Sequence, residues 1–184
     1  MEIHLIRHTK VNVATNICYG QTDVELRSNY IEDFKGVKLD SDYDLIVSSP
    51  LKRCTQMADF FNLTYLEDSR LQELNFGEWE NSPWEKIPKH EIDPWYKDYI
   101  TTRPPHGESL LDFKNRIEEF KEDFIARCQR EKILIITHSG VIRMFLQLIL
   151  QFPLENLFNI IPDYGKKCVL KREGDLWRII SINT

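Results

Sequence analysis

An α/β fold with a mostly parallel sheet follows from three observations in the sequence. Short apolar runs recur as EIHLIR (2–7), DYDLIVSSP (42–50) and EKILIITHSG (131–140), each with the length and composition of a buried strand. The second and third runs are each followed by a stretch with helical spacing, and strand-then-helix alternation is the pattern of α/β sheets. The tail KKCVLKREGDLWRIISIN (166–183) reads as two strands about a Glu173-Gly174-Asp175 turn, which adds an antiparallel edge.

The remaining elements follow in order. Residues 27–41 read as a short helix and loop. In LKRCTQMADFFN (51–62), Leu51, Cys54, Met57, Ala58 and Phe61 fall at helical spacing. Residues 78–108 hold five of the eight prolines and three of the four tryptophans with no sustained period, so they read as a long excursion over one edge. The strongest helix is SLLDFKNRIEEFKEDFIARCQR (109–130), with Leu110, Phe113, Ile117, Phe120, Phe124 and Cys128 three or four apart. Ser109 is its N-cap and Asp112 the capping-box partner. Its stripe is the core-facing face of a half-buried helix rather than a cofactor box. VIRMFLQLILQF (141–152) forms the last helix.

At 184 residues and 42% hydrophobic, the chain suits one domain, 1–184, with one core. A formal charge of -5 disfavours nucleic acid and anionic membranes as partners, so any bound phosphate needs a local cluster of cations. Cys18, Cys54, Cys128 and Cys168 have neither a disulfide framework nor a zinc spacing and read as buried free thiols. No apolar run has the length of a membrane span, because Arg143 and Gln147 interrupt VIRMFLQLIL. These features suit a soluble, cytoplasmic protein.

Each apolar run ends in a basic residue or reaches one soon after: Arg7 and His8 after the first, Arg53 after the second, His138 after the third. If the strands are parallel, these residues share the carboxyl edge, where ligands bind and helix N-termini suit phosphate. Arg7 and His8 point to opposite faces of a continuing strand, so they converge only if the strand ends there. Taken singly, each has the ordinary reading of a hydrogen-bonded histidine or a solvated arginine; the coincidence at three strand ends favours a site. A metal held by His4 and His8 is disfavoured, because four residues of strand span about 13 Å.

Two arginines and two histidines can hold a phosphate dianion, and a neutral imidazole is a competent nucleophile towards phosphorus. Such a cluster either binds a phosphorylated ligand or catalyses its hydrolysis, and catalysis also needs a proton donor. In RLQELNFGEWE (70–80), Glu73 is the candidate, because Leu71, Leu74 and Phe76 would favour the protonated carboxyl a general acid needs. Equally, Glu73, Glu78 and Glu80 can be read as surface carboxylates.

Five ordered stretches, LIRHT, VSSPLKRCTQMA, LQELNFGEWE, HGES and ITHSGVIR, resemble the histidine phosphatases of the phosphoglycerate mutase-like superfamily over residues 3 to 145. The resemblance implies a three-layer α/β/α sandwich acting without metal or cofactor on a small phosphorylated metabolite. It makes His8 the phosphorylated nucleophile, with Arg7, Arg53 and His138 on the phosphoryl group and Glu73 the proton donor. CYGQTDVEL (18–26), the R-H-T triplet and the short chain resemble the α-ribazole phosphatase branch of cobalamin nucleotide-loop synthesis, with Gly20 and Gln21 as added substrate contacts. A broad-specificity phosphatase, a mutase-type enzyme and a non-catalytic phospho-ligand binder are the alternatives. Thr9, Val11 and Ala14 depart from the usual R-H-G-E-T pattern, and the backbone at β-branched Thr9 must avoid positive φ.

Overall fold

In the computed structural model the backbone is described for all residues except 129 and 130, and side chains for all except 125–127 and 129–130. Six strands form one sheet: β1 (Glu2–Arg7), β2 (Leu45–Ser48), β3 (Leu66–Glu67), β4 (Lys132–Thr137), β5 (Lys167–Glu173) and β6 (Leu176–Ile182). Their order is β3-β2-β4-β1-β5-β6. The first four are mutually parallel, and β5 and β6 complete the sheet antiparallel. The turn between β5 and β6 is the one read from the sequence, with Gly174 at a φ of +60° that suits glycine.

Alternation along the strands builds the layers. Ile3 and Leu5 of β1, with Ile133 and Ile135 of β4, join one apolar cluster; Ile6, Leu134 and Ile136 join a second. Helices α4 (Leu110–Arg127) and α5 (Ser139–Leu150) pack in the first cluster through Phe113, Ile117, Phe120 and Phe145. The second holds Phe34 of α1 (Tyr30–Lys35), and Cys54, Met57 and Ala58 of α2 (Lys52–Phe60). The result is the α/β/α sandwich. Among the described residues, no helix is long and apolar enough to cross a membrane.

Helix α4 begins as its sequence requires. The Ser109 hydroxyl accepts the Asp112 N–H at 3.2 Å, and Asp112 accepts the Ser109 N–H at 2.9 Å. Residues 129 and 130, which the periodicity includes in this helix, lie outside the described residues. Helix α5 starts two residues earlier than its apolar pattern, at Ser139, which brings its N-terminus directly after His138.

The excursion is more regular than its sequence. It contains α3 (Lys89–Lys97) and 3₁₀ turns at Gly77–Trp79 and Trp84–Lys86. A nine-residue helix with Pro94 inside shows little period, and only Ile92 and Trp95 of α3 reach the small cluster around Trp79 and Ile87. The four cysteines are free; Cys128 is half-buried, and burial pushes the Cys18, Cys54 and Cys168 thiols up to about 12.

Candidate active site

The register of the sheet gathers the basic strand ends. Arg7 pairs with Thr137 across β1 and β4, and the Ser49 N–H donates to Ile136 at 2.9 Å. Strand β1 ends at Arg7, which meets the condition for Arg7 and His8 to converge. The His8 N–H donates to the Thr137 carbonyl at 2.9 Å, and the His8 and His138 rings stand 5.2 Å apart, edge to face. Thr9 is not among the residues with positive φ.

The partners of the two imidazoles fix their tautomers. His8 Nδ1 lies 2.7 Å from the Thr9 carbonyl, which can only accept, so Nδ1 carries the proton and Nε2 keeps its lone pair. Arg53 can only donate, so His138 Nδ1 accepts from its Nε at 3.3 Å, and His138 Nε2–H donates to the Ser49 hydroxyl at 2.8 Å. Burial lowers the His8 pKa well below 6.5, aided by Arg53 and Arg7 and opposed by the Thr9 bond. Burial does the same at His138, followed by Arg53, His8, Arg7 and Arg116.

A pH titration follows from these shifts. A depressed pKa keeps the neutral ring as acidity rises, so two imidazoles are expected to stay uncharged as pH falls through 6.5. The unfolded chain takes up those protons near 6.5 and the native state refuses them. Stability is therefore lost as pH drops below that value, by up to about 1.4 kcal/mol per pH unit for each histidine. Histidine-labelled NMR checks the first statement; protonation of every imidazole by pH 6 contradicts it.

The arginines are held by carbonyls. Arg53 is wholly buried and donates to Gly20 at 2.6 Å, to Thr22 at 2.8 Å and to His138, leaving two of its five N–H groups. Arg7 donates to the Pro162 carbonyl at 2.8 Å, and its buried Nε has no partner among the described residues. Neither is paired with a carboxylate among the described residues. Positive charge with unmet donors is what a phosphoryl group satisfies.

Of the three glutamates, only Glu73 lines the cleft of about 280 Å³ that opens here. Its oxygens meet backbone donors rather than apolar side chains alone: Leu74 N–H at 3.1 Å, and Gly140 N–H, in the first turn of α5, at 3.0 Å. Gly140 permits this approach, because a Cβ there would lie 2.1 Å from Glu73 Oε1. Arg116 clamps the segment by donating to the carbonyls of Arg70, Gln72 and Glu73. Glu108 of the HGES stretch pairs with Arg116 at 2.7 Å and accepts the Asn75 N–H. Glu80 instead accepts the N–H groups of Gln21, Thr22 and Phe76; burial opposes its charge, but the bonds from Thr22, Gln21 and Phe76 outweigh it and lower its pKa. Glu78 is exposed beside His106.

Within the 18–26 stretch Tyr19 lines the cleft, and Gly20 and Gln21 hold the site from outside that lining. Gly20 gives its carbonyl to Arg53, and a Cβ there would lie 1.9 Å from the Leu74 carbonyl oxygen, so only glycine fits. The Gln21 side chain donates to the Glu73 carbonyl at 3.1 Å. Neither residue lines the cleft, nor do Arg53 and His138. Its lining includes Arg7, His8, Glu73, Ser139, Gly140 and Arg143, with Tyr19, Phe76, Trp84, Phe113 and Phe158 as the aromatic part. Of the excursion aromatics, only Trp84 reaches the cleft; Trp79 is buried with its indole N–H on Glu91, and Tyr96 is exposed. His4 is a structural residue, bonded to Tyr43 and Glu2.

Sequence reasoning missed Ser49, Arg116, Arg143 and Tyr164. Arg143, five residues after His138, was an interruption in an apolar run; it lines the cleft and donates to the Ile160 carbonyl at 2.6 Å. Burial lowers its pKa, and the Glu73 carboxylate opposes that shift.

A family model described as "Histidine phosphatase superfamily (branch 1)" matches residues 3–184. A Hydrogenobacter thermophilus protein with the provisional name phosphoserine phosphatase 2 is 29% identical over 147 residues, 76% of this chain and 72% of its own length. The adenosylcobalamin/α-ribazole phosphatase of Escherichia coli is 23% identical over 100% of this chain and 91% of its length. The crystal structure of the α-ribazole phosphatase from Shigella flexneri superposes with a TM-score of 0.90 at 22% identity, covering 100% of this chain and 96% of that one.

Proposed function

Since the chain belongs to branch 1 of the histidine phosphatase superfamily and is a phosphatase, we propose that it hydrolyses a small phosphate monoester through a phosphohistidine on His8. The catalytic unit is one domain, 1–184, with 78–108 over the edge of the site. The observation that carries the reading is the His8 ring: neutral, its Nδ1–H committed to Thr9, its Nε2 beside two guanidinium groups that no carboxylate among the described residues neutralises. In the proposed first step Nε2 bonds to phosphorus as the ester oxygen leaves, and Glu73 gives that oxygen a proton. Water then attacks phosphorus and passes a proton back to Glu73 as the P–Nε2 bond breaks, which releases inorganic phosphate and restores the His8 imidazole. Arg7 and Arg53 hold the charge on the transferring group's oxygens, and His138, whose one N–H goes to Ser49, takes part through the Arg53 bond that it accepts. Gly20 and Gln21 act by placing Arg53 and Glu73.

The substrate proposed is α-ribazole 5′-phosphate. It is supported by the CYGQTDVEL stretch, the named relatives and an aromatic cleft lining that suits a flat base. One observation favours a second reading. Arg143 adds a cation that a base-bearing ester does not use, and it suits a phosphorylated small acid such as phosphoserine. Side-by-side kinetics decide between them. The first reading expects kcat/KM for α-ribazole 5′-phosphate to exceed that for phosphoserine, 3-phosphoglycerate and nucleoside monophosphates by about tenfold or more. Equal values across the panel point to a broad phosphatase, and a preference for phosphoserine to the second reading.

A further inference from the structure

Arg7 and Arg53 each lie beneath a tyrosine ring from a different loop. The Tyr164 ring centroid is 3.5 Å from the Arg7 guanidinium carbon, and the Tyr19 centroid is 5.8 Å from that of Arg53. The two hydroxyls meet at 3.0 Å. These loops also supply the carbonyls that hold the arginines: Pro162 for Arg7, and Gly20 and Thr22 for Arg53. Burial, and then the bond to Tyr164, raise the Tyr19 pKa, so the contact stays protonated.

We propose that Tyr19 and Tyr164 are positioning residues: each ring holds one guanidinium plane, and the hydroxyl contact joins the two loops so that both arginines address one phosphoryl group. The proposal rests on reading Arg7 and Arg53 as phosphoryl binders. A carboxylate would hold a guanidinium equally well, but it would cancel the charge that the phosphoryl group needs. An aromatic face orients the cation and leaves its charge and its in-plane donors free. Tyr164 also touches His8 edge to face at 5.6 Å, so one ring orders both the nucleophile and its neighbouring cation.

The test is competitive inhibition by inorganic phosphate, with p-nitrophenyl phosphate as substrate and thermal unfolding as the fold control. Tyr164→Leu is expected to raise the inhibition constant about tenfold, whereas Tyr164→Phe, which keeps the ring, raises it only about two- to threefold. Tyr19→Phe with Tyr164→Phe is expected to cost no more than either change alone, because either one already breaks the hydroxyl contact. Arg7→Ala separates the two levels of the argument. If it weakens phosphate binding tenfold or more while Tyr164→Leu leaves it within twofold, the positioning role is overturned and the arginine reading stands. If neither change weakens binding, both fall. Should Tyr164→Leu fail to fold, the phenylalanine variants decide: additive losses, or a loss in Tyr164→Phe as large as that in Arg7→Ala, overturn the proposal.

Discussion

Replacement of His8 by alanine is expected to lower turnover by at least about four orders of magnitude, because without Nε2 no phosphoenzyme forms. Inorganic phosphate should still bind weakly, since Arg7 and Arg53 are held by Pro162, Gly20 and Thr22, not by the imidazole of His8. The alanine leaves a gap beside Thr9 and Tyr164 without removing a buried charge, so the thermal midpoint should fall only modestly. Steady-state kinetics with a folded variant check this. Turnover within tenfold of the parent would remove His8 as nucleophile.

Glu73→Gln is expected to slow hydrolysis of alkyl phosphates by about a hundredfold or more, and of p-nitrophenyl phosphate by less than about tenfold. An alkoxide needs a proton to leave and a nitrophenolate does not, so the ratio isolates the donor. The substitution retains the side-chain length and one oxygen to accept from Leu74 or Gly140, and Arg116 still holds the carbonyl of residue 73. Equal losses on both substrates would make Glu73 structural. Glu80 could not then inherit the role in this conformation, because its oxygens are committed to the 20–22 loop and to Phe76.

The parts that could be read from the sequence are those in which chemistry interrupts a pattern. Arg7, His8 and His138 stand out because apolar strands run straight into them, and the register of β1 with β4 then brings them together. Ser109 and Asp112 announce the start of α4 by local capping chemistry that needs no tertiary information. The residues that were missed have meaning only in three dimensions. Ser49 and Arg116 act through hydrogen bonds to His138 and to the segment bearing Glu73, across 89 and 43 residues of sequence. Arg143 sits within an otherwise apolar helix and is identified as part of the site only once α5 is docked with its first turns on the cleft.

In the 78–108 excursion, Trp79 and Trp95 pack within a small local core, and Trp84 also reaches the cleft. Leu74 and Phe76 line the cleft with Glu73, and the N–H groups of Leu74 and Gly140 add a hold on its carboxyl that composition does not show. The glycine that allows this, Gly140, follows Ser139 directly in the ITHSG stretch, where sequence spacing shows a helix start but not what approaches it.

The central claim is a covalent phosphoryl group on His8. Rapid quench during turnover with a phosphate-labelled substrate, followed by peptide mapping, tests it most directly. The account predicts a transient label, lost in acid and stable in alkali, that maps to the peptide containing His8 and is absent from His8→Ala. A label on another residue, or one that persists in His8→Ala, would contradict it.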